Sequence, residues 1–323
     1  MEEPPAPAPR RRGVTVLVGL LVLVLATVCV LRLGGFDGNR FTVAALALTP
    51  YVGAFGALVT FLALVLRRRL FAFTALLLSI SLGILLIPRY LADGASLPPG
   101  QRVRVMSVNL LLGKADTAMV IRLVRDAKVD VLTMQELTPQ ALAALDDAGL
   151  ATMLPYRVAR PGTGSSGTAI LAKMPLRQIV LVENTTFEQP AAVVDLAGRT
   201  DIEIVSVHAS PPVESAEGRR RWQADLEALP SPDSEGRPRV LAGDFNATLD
   251  HRALSRVLDR GYSDCAEMTG EGLRPTWSQY PYGPPVTIDH VLVDRRLGAA
   301  EVRVYDMPGS DHNAVVAELA LPR

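Results

Sequence analysis

Residues 239–248 read RVLAGDFNAT. The aliphatic run has the character of a buried strand, and it stops on a carboxylate, Asp244, followed two residues on by an amide, Asn246. Ligand sites form where strands stop, because polar side chains there converge beside a cleft. Working outward, the same ending recurs. Residues 102–109 (RVRVMSVN) end on Asn109, 129–136 (VDVLTMQE) on Glu136 and 202–208 (IEIVSVH) on His208. Two later stretches reverse the order. Asp289 and His290 lie inside VTIDHVLV (286–293), and Ser310-Asp311-His312 precedes NAVVAEL (313–319). If the late strands run antiparallel to the early ones, Asn109, Glu136, His208, Asp244, Asn246, Asp289, Asp311 and His312 gather at one edge of the sheets.

That set holds carboxylates, two amides and two imidazoles, and no thiolate. Hard oxygen ligands suit Mg²⁺, Mn²⁺ or Ca²⁺ rather than Zn²⁺. Amide N–H groups and an imidazolium hold non-bridging phosphate oxygens, and a carboxylate beside a metal orients or deprotonates a water. Phosphoester hydrolysis needs this inventory, because its catalysis is largely positioning and charge stabilisation.

Between these stretches the periodicity alternates. Helical spacing is predicted over 117–127, 139–148, 214–229 and 251–258, and strand character over 168–172, 178–182, 191–196 and 300–305. About nine or ten strands with four helices predict two packed sheets with helices outside.

The first hundred residues differ in kind. Residues 1–13 (MEEPPAPAPRRRG) are proline-rich and polar, which predicts a disordered tail. Three apolar runs follow at 14–33, 42–66 and 70–90, each near the ~20 residues that cross a hydrocarbon layer. They predict a three-helix transmembrane anchor over 14–91, with 92–100 (ADGASLPPG) as linker and 101–323 as the soluble domain. Arg10–Arg12 and Arg67–Arg69 fall on one side after two crossings, which predicts a cytoplasmic N-terminus and an extracytoplasmic domain in a multi-pass cell-membrane protein. Arg32, Arg40 and Arg89 run against that bias. A cleaved signal peptide is the competing reading, but no A-x-A-like site follows the first run and two more runs come after it.

In all, 323 residues with a mean hydropathy of +0.24 carry 33 basic and 33 acidic side chains, which excludes a polycation built to coat nucleic acid. The balance hides an asymmetry: residues 1–100 hold nine Lys/Arg against four Asp/Glu, and 101–323 hold 24 against 29. Two cysteines, one of them Cys29 in an apolar run, exclude a disulfide scaffold.

Seven stretches, SVNLL, MQE, GTAILAKMPL, VSVHASPP, LAGDFNAT, TIDHVLV and SDHNAVVAEL, stand in family order. Through them the chain from residue 102 onward resembles the endonuclease/exonuclease/phosphatase superfamily, and the spans resemble those of its bacterial membrane-bound members. The resemblance implies an α+β fold, a four-layer αββα sandwich of deoxyribonuclease I type, preceded here by three transmembrane helices. It implies divalent-metal phosphoesterase chemistry with Mg²⁺ or Mn²⁺, or with Ca²⁺. Carried over by position, Glu136 is the main metal carboxylate, helped by Asn109, with Asp311 beside the metal. Asp244 orients or activates the water, and Asn246 holds the scissile phosphate. His312 contacts the phosphate and is oriented by Asp289. His208 faces the leaving group, and with Asn109 and Asn246 makes up the substrate-binding set. The chain departs from the deoxyribonucleases in two places. Ser165-Ser166-Gly167 stands where they carry a Glu, and Glu188-Gln189 stands where a DNA-contacting arginine is expected.

Other residues read as structural. His251 is expected at the surface, His290 in the sheet or at the site edge, and Cys265 as a packed thiol. Arg219-Arg220-Arg221-Trp222 reads as a solvated helix face, and Thr276-Trp277 with Tyr280 and Tyr282 as a loop near the site. The substrate expected is a phosphoester of a nucleic acid, phospholipid or phosphosugar, met at the lipid bilayer, with no obligate protein partner evident. Two alternatives are an extracellular endonuclease acting on DNA or RNA and a non-catalytic membrane receptor or scaffold.

Overall fold

The computed structural model describes residues 9–197, 200–277 and 283–322. Four helices come first: α1 (Pro9–Gly34), α2 (Arg40–Ala47), α3 (Thr49–Val65) and α4 (Arg69–Leu86), followed by a 3₁₀ turn, Ile87–Tyr90. α1, α3 and α4 pack through Val22, Leu25, Val59 and Ala75 and through Val18, Ala63 and Ala72. Their outer faces expose Leu20, Leu23, Phe61, Phe73 and Ile80. Helices apolar on every face are shielded from water, in a protein core or in a membrane.

Among the described residues, two helices are long and apolar enough to cross a membrane, Arg12–Gly34 and Arg69–Tyr90. The middle span predicted at 42–66 is not one helix: α2 and α3 meet at a 65° bend. Pro50 sits in the first turn of α3, where its missing N–H and its ring prevent α2 from running on. The expected three-helix anchor is thus corrected to two single helices and one bent pair among the described residues.

The remainder runs β1 (Arg102–Asn109), α5 (Thr117–Asp126), β2 (Val131–Gln135), α6 (Pro139–Asp147), α7 (Leu150–Met153), β3 (Tyr156–Arg160), β4 (Thr168–Ala172), β5 (Leu176–Ile179), β6 (Ala191–Val194) and β7 (Ile202–His208). It continues through α8 (Ala216–Glu227), β8 (Arg239–Asp244), α9 (Arg252–Asp259), β9 (Tyr262–Asp264), α10 (Cys265–Met268), β10 (Asp289–Asp294), β11 (Gly298–Tyr305) and β12 (Ala314–Ala320). The described strands form two six-stranded sheets, ordered β11-β12-β1-β2-β4-β3 and β5-β6-β7-β8-β10-β9. Only β1 with β2 and β7 with β8 pair in parallel; the late strands β10 and β12 run antiparallel to β8 and β1.

The layers follow from side-chain alternation along each strand. Val103 and Val105 of β1, Ile202 and Ile204 of β7, Val240 and Ala242 of β8 and Val291 and Val293 of β10 fill the space between the sheets. Met106, Val108, Leu132 and Met134 face outward onto α5, α6 and α7. Val205, Val207, Leu241 and Leu292 face outward onto α8 and α9. The result is the four-layer αββα sandwich.

Parity also places the polar residues. Asn109, His208, Asp244 and Asp289 occupy the same alternate positions as the inter-sheet aliphatics, at one end of their strands. The gap between the sheets is therefore apolar along its length and ionic at that end. β8 approaches β7 so closely at Gly243 that a Cβ there would collide with the Val207 carbonyl, which explains the glycine of GDFN.

The helical part docks on the sandwich at that same end. Val43 of α2 joins the core under α8 and α9. Arg89 donates to both carboxylate oxygens of Asp250 at 2.8 and 3.0 Å, and Arg32 donates to Asp250 Oδ1 at 2.7 Å. Asp37 accepts from the Ala253 backbone N–H at 2.8 Å, in the first turn of α9. His251, expected at the surface, is instead buried: Nδ1 accepts from the Thr248 N–H, and Nε2 donates to the Val43 carbonyl at 2.9 Å.

Candidate active site

Asp244 ends β8 directly opposite His208 on β7 and Asp289 on β10. The turn after it folds back: the Asn246 N–H donates to Asp244 Oδ1 at 2.8 Å, with Asn246 in the left-handed region at φ 49°. Asn246 Nδ2 donates to the Ala209 carbonyl at 2.9 Å. The amide of Asn109 bridges two carboxylates, donating to Asp244 Oδ2 at 3.1 Å and to Glu136 Oε1 at 3.4 Å. Its own oxygen accepts from the Leu111 N–H, so Asn109 orients the acids as donor.

Glu136 follows β2 with φ 56°. For a non-glycine residue that conformation costs of order 1–3 kcal/mol, and such strain collects at functional sites. The Leu112 N–H donates to its Oε2 at 2.8 Å. On the opposite wall, His312 Nδ1 donates to Asp289 at 3.0–3.1 Å, and its Nε2 lies 3.7 Å from Asp244 and 3.9 Å from Asp311. Ser310 locks the segment by donating to the Asn109 carbonyl at 2.8 Å. Trp277 Nε1 donates to Asp311 Oδ2 at 3.0 Å, which brings the predicted aromatic loop to the site through Trp277. Tyr280 and Tyr282 lie outside the described residues.

Electrostatics divides the two imidazoles. Burial works to lower the pKa of His312, but Asp289, Asp244 and Asp311 more than reverse it and hold the ring charged. Burial raises the Asp244 carboxyl, against the pull of His312. His208 is pushed down to about 3, by burial first and then by the charge on His312, so it is neutral. It stacks on Phe187 at 4.3 Å, its Nδ1 is buried without a hydrogen bond, and its Nε2 lies 4.0 Å from Glu136.

The donor set fits a hard divalent ion. Asp311 Oδ1 is buried and makes no hydrogen bond, which is costly for a carboxylate unless a cation or donor relieves it. Among the described residues, Asp244, Asp289 and His312 also offer ligand atoms within 4.8 Å of one another. His312, held charged by three carboxylates, would itself repel a cation at that trio.

Sequence reasoning missed Phe187, which lies in an irregular stretch without periodicity. His290 proves structural, bonding Asp264 at 2.7 Å and the Ala247 carbonyl at 2.8 Å. Cys265 is packed and buried as expected. Trp222 is fully buried and donates to the Phe245 carbonyl, whereas Arg220 and Arg221 stay exposed beside Glu217.

Residues 106–312 match the model of the Endonuclease/Exonuclease/phosphatase family, and the chain belongs to that family. It is by class a phosphoric ester hydrolase, and enzymes of the family use divalent metals. Solved structures share the fold. An endonuclease/exonuclease/phosphatase from Beutenbergia cavernae matches at 18% identity over 69% of this chain and 72% of that one, with a TM-score of 0.51. The 3′ phosphatase NExo (D146N) from Neisseria, bound to a product DNA hairpin, matches at 19% identity over 67% and 98%, with a TM-score of 0.53. Truncated TDP2 from Caenorhabditis elegans matches at 21% identity over 68% and 97%, also at 0.53. A comparison with curated protein sequences finds no match.

Proposed function

We propose that this chain is a membrane-anchored, divalent-metal-dependent phosphoesterase working on the extracytoplasmic side. The observation that carries the reading is the register that sets Asp289 opposite Asp244, with His312 bonded to the first and 3.7 Å from the second. In this reading Asp244 orients the attacking water and accepts its proton. Charged His312, held by Asp289, and the Asn246 amide take the non-bridging oxygens of the phosphate. Neutral His208 offers a hydrogen bond on the leaving-group side. Glu136 and Asp311 would hold the ion, with Asn109 orienting Glu136 as a donor; the ion when bound supplies Lewis-acid polarisation of the phosphate.

Residues 1–13 are the tail, 14–91 the anchor, 92–100 the linker and 101–323 the catalytic domain, with the bent α2–α3 pair counting as the middle crossing. Arg12 and Arg67–Arg69 then share the end of the helices remote from the sandwich. Arg32 and Arg89, which ran against the charge bias, both pair with Asp250, which offsets one of their two positive charges; Arg40 still runs against the bias.

Full-length protein in detergent with Mg²⁺ or Mn²⁺ should hydrolyse bis-p-nitrophenyl phosphate. Asp244→Asn and Glu136→Gln should each lose that activity while keeping the melting temperature. Retention of full activity by either variant sinks the assignment. The endonuclease alternative lacks a basic rim at the place expected for it: Glu188 pairs with Arg160 and Gln189 is buried.

A further inference from the structure

A cavity of about 460 Å³ lies where the helices meet the sandwich. Its walls are Pro50 and Ala54 of α3 and Leu86 of α4 on one side, and Leu249, Leu273 and Val286 on the other. Resting on the phosphoesterase reading above, we propose that this cleft binds an acyl chain of a membrane phospholipid whose phosphoester lies at the Asp244–His312 site.

The cleft is built rather than a gap between loosely joined parts. Arg89 and Asp250 line it and meet in a two-point ion pair whose side chains are 4% and 1% exposed. Tyr51 ties the rim by donating to the Pro285 carbonyl at 2.6 Å. Apolar walls fixed by an ion pair and a hydrogen bond suit a hydrocarbon chain.

Its two ends identify the occupant. At one end Val286 pairs with Trp277, and Trp277 pairs in turn with His312 and bonds Asp311. The wall of the cleft is therefore one strand away from the phosphate-binding groups. At the other end the cleft continues onto the outer faces of the helices. Ala54 shares a face of α3 with Leu58 and Phe61, four and seven residues on, which are 58% and 64% exposed. Leu86 leads to exposed Ile87 and Ile84. A groove that opens onto lipid-facing surface at one end and nears a phosphoesterase site at the other matches the two parts of a phospholipid. The charge agrees: the domain has more acidic than basic side chains and offers little to a polyanion.

The test uses the full chain in nanodiscs, with phosphatidylglycerol carrying brominated acyl chains as probe, read by quenching of Trp277 fluorescence. Trp222, the other tryptophan, is fully buried in the sandwich. In the unaltered protein, quenching should saturate at low mole fraction of brominated lipid. A strictly linear rise, as for a ring facing bulk bilayer, overturns the proposal. Ala54→Phe with Leu273→Phe should at least halve the saturable part, and Ala54→Phe alone should reduce it less. Undiminished saturable quenching in a double variant that melts like the parent also overturns it. Because quenching needs no turnover, a protein that binds the probe but fails on bis-p-nitrophenyl phosphate counts against the phosphoesterase reading alone.

Discussion

Arg89 and Asp250, 161 residues apart, meet in a buried two-point ion pair at 2.8 and 3.0 Å. Asp250 lies six residues after Asp244, so the loop that follows the carboxylate proposed to orient the water is held directly by the end of the helical segment. Removing one partner of a buried pair strands the other charge, which costs about 3–5 kcal/mol. Arg89→Met should destabilise the full chain by less than that ceiling in urea unfolding, because Arg32 stays bonded to Asp250 at 2.7 Å. Arg32→Met should cost only about 1 kcal/mol, since Arg32 is partly exposed and Arg89 would remain. Equal losses for the two variants would contradict the ranking.

The same junction predicts a response to acid. Burial lowers the pKa of His251, and the Val43 carbonyl, Asp250 and Asp37 only partly offset it, with Arg89 and Arg32 on the far side of Asp250. A histidine depressed in the folded state binds its proton more readily once unfolded, so its contribution is complete above about pH 6.5 and declines as pH falls through that value. Hydrogen exchange in α2 and in the first turn of α9 should accelerate between pH 7.5 and 5. His251→Gln should remove the pH-dependent part, and an unchanged profile in that variant would assign it elsewhere.

In the proposed mechanism Asp289 acts only through His312, to which it is hydrogen-bonded at 3.0–3.1 Å. Asp289→Asn keeps the shape but removes the charge that holds the imidazole protonated and oriented. General acid–base and orienting contributions of this kind are worth roughly 10²–10⁴-fold in rate. The variant should lose kcat on bis-p-nitrophenyl phosphate with little change in KM. A pure KM effect would make Asp289 a binding residue instead.

Asn109 donates to both Glu136 and Asp244 without offering its oxygen. Groups that orient a metal-facing carboxylate typically tune affinity by about 10–100-fold. Calorimetric titration of Asn109→Ala with Mn²⁺ should show a weakening of that order, and Glu136→Gln a larger one. Chelation with EDTA should abolish turnover and added Mg²⁺ restore it.

Much of this was legible because it rests on alternation. Once 239–244 and 202–208 are strands, parity alone sends Asp244 and His208 to the same face as Val240 and Ile204, and the reversed order around Asp289 follows from an antiparallel return. What was not legible depends on partners far along the chain. β3 is an edge strand with little alternation, β9 has three residues, and both escaped notice. The break at Pro50 was hidden because membrane helices tolerate proline. His251 looked like a surface residue because its acceptor, the Val43 carbonyl, lies 208 positions earlier. Arg32 and Arg89, two of the three arginines that disobeyed the charge bias, were the available hint that the helices dock on the sandwich.

The Asp37 contact has a temporal side. Helix α9 takes one of its end caps from a residue 216 positions upstream, on a segment that leaves the ribosome long before α9 does. The surface that caps α9 is therefore synthesised before the helix it caps, and before the late strands β10 and β12 that complete the two sheets.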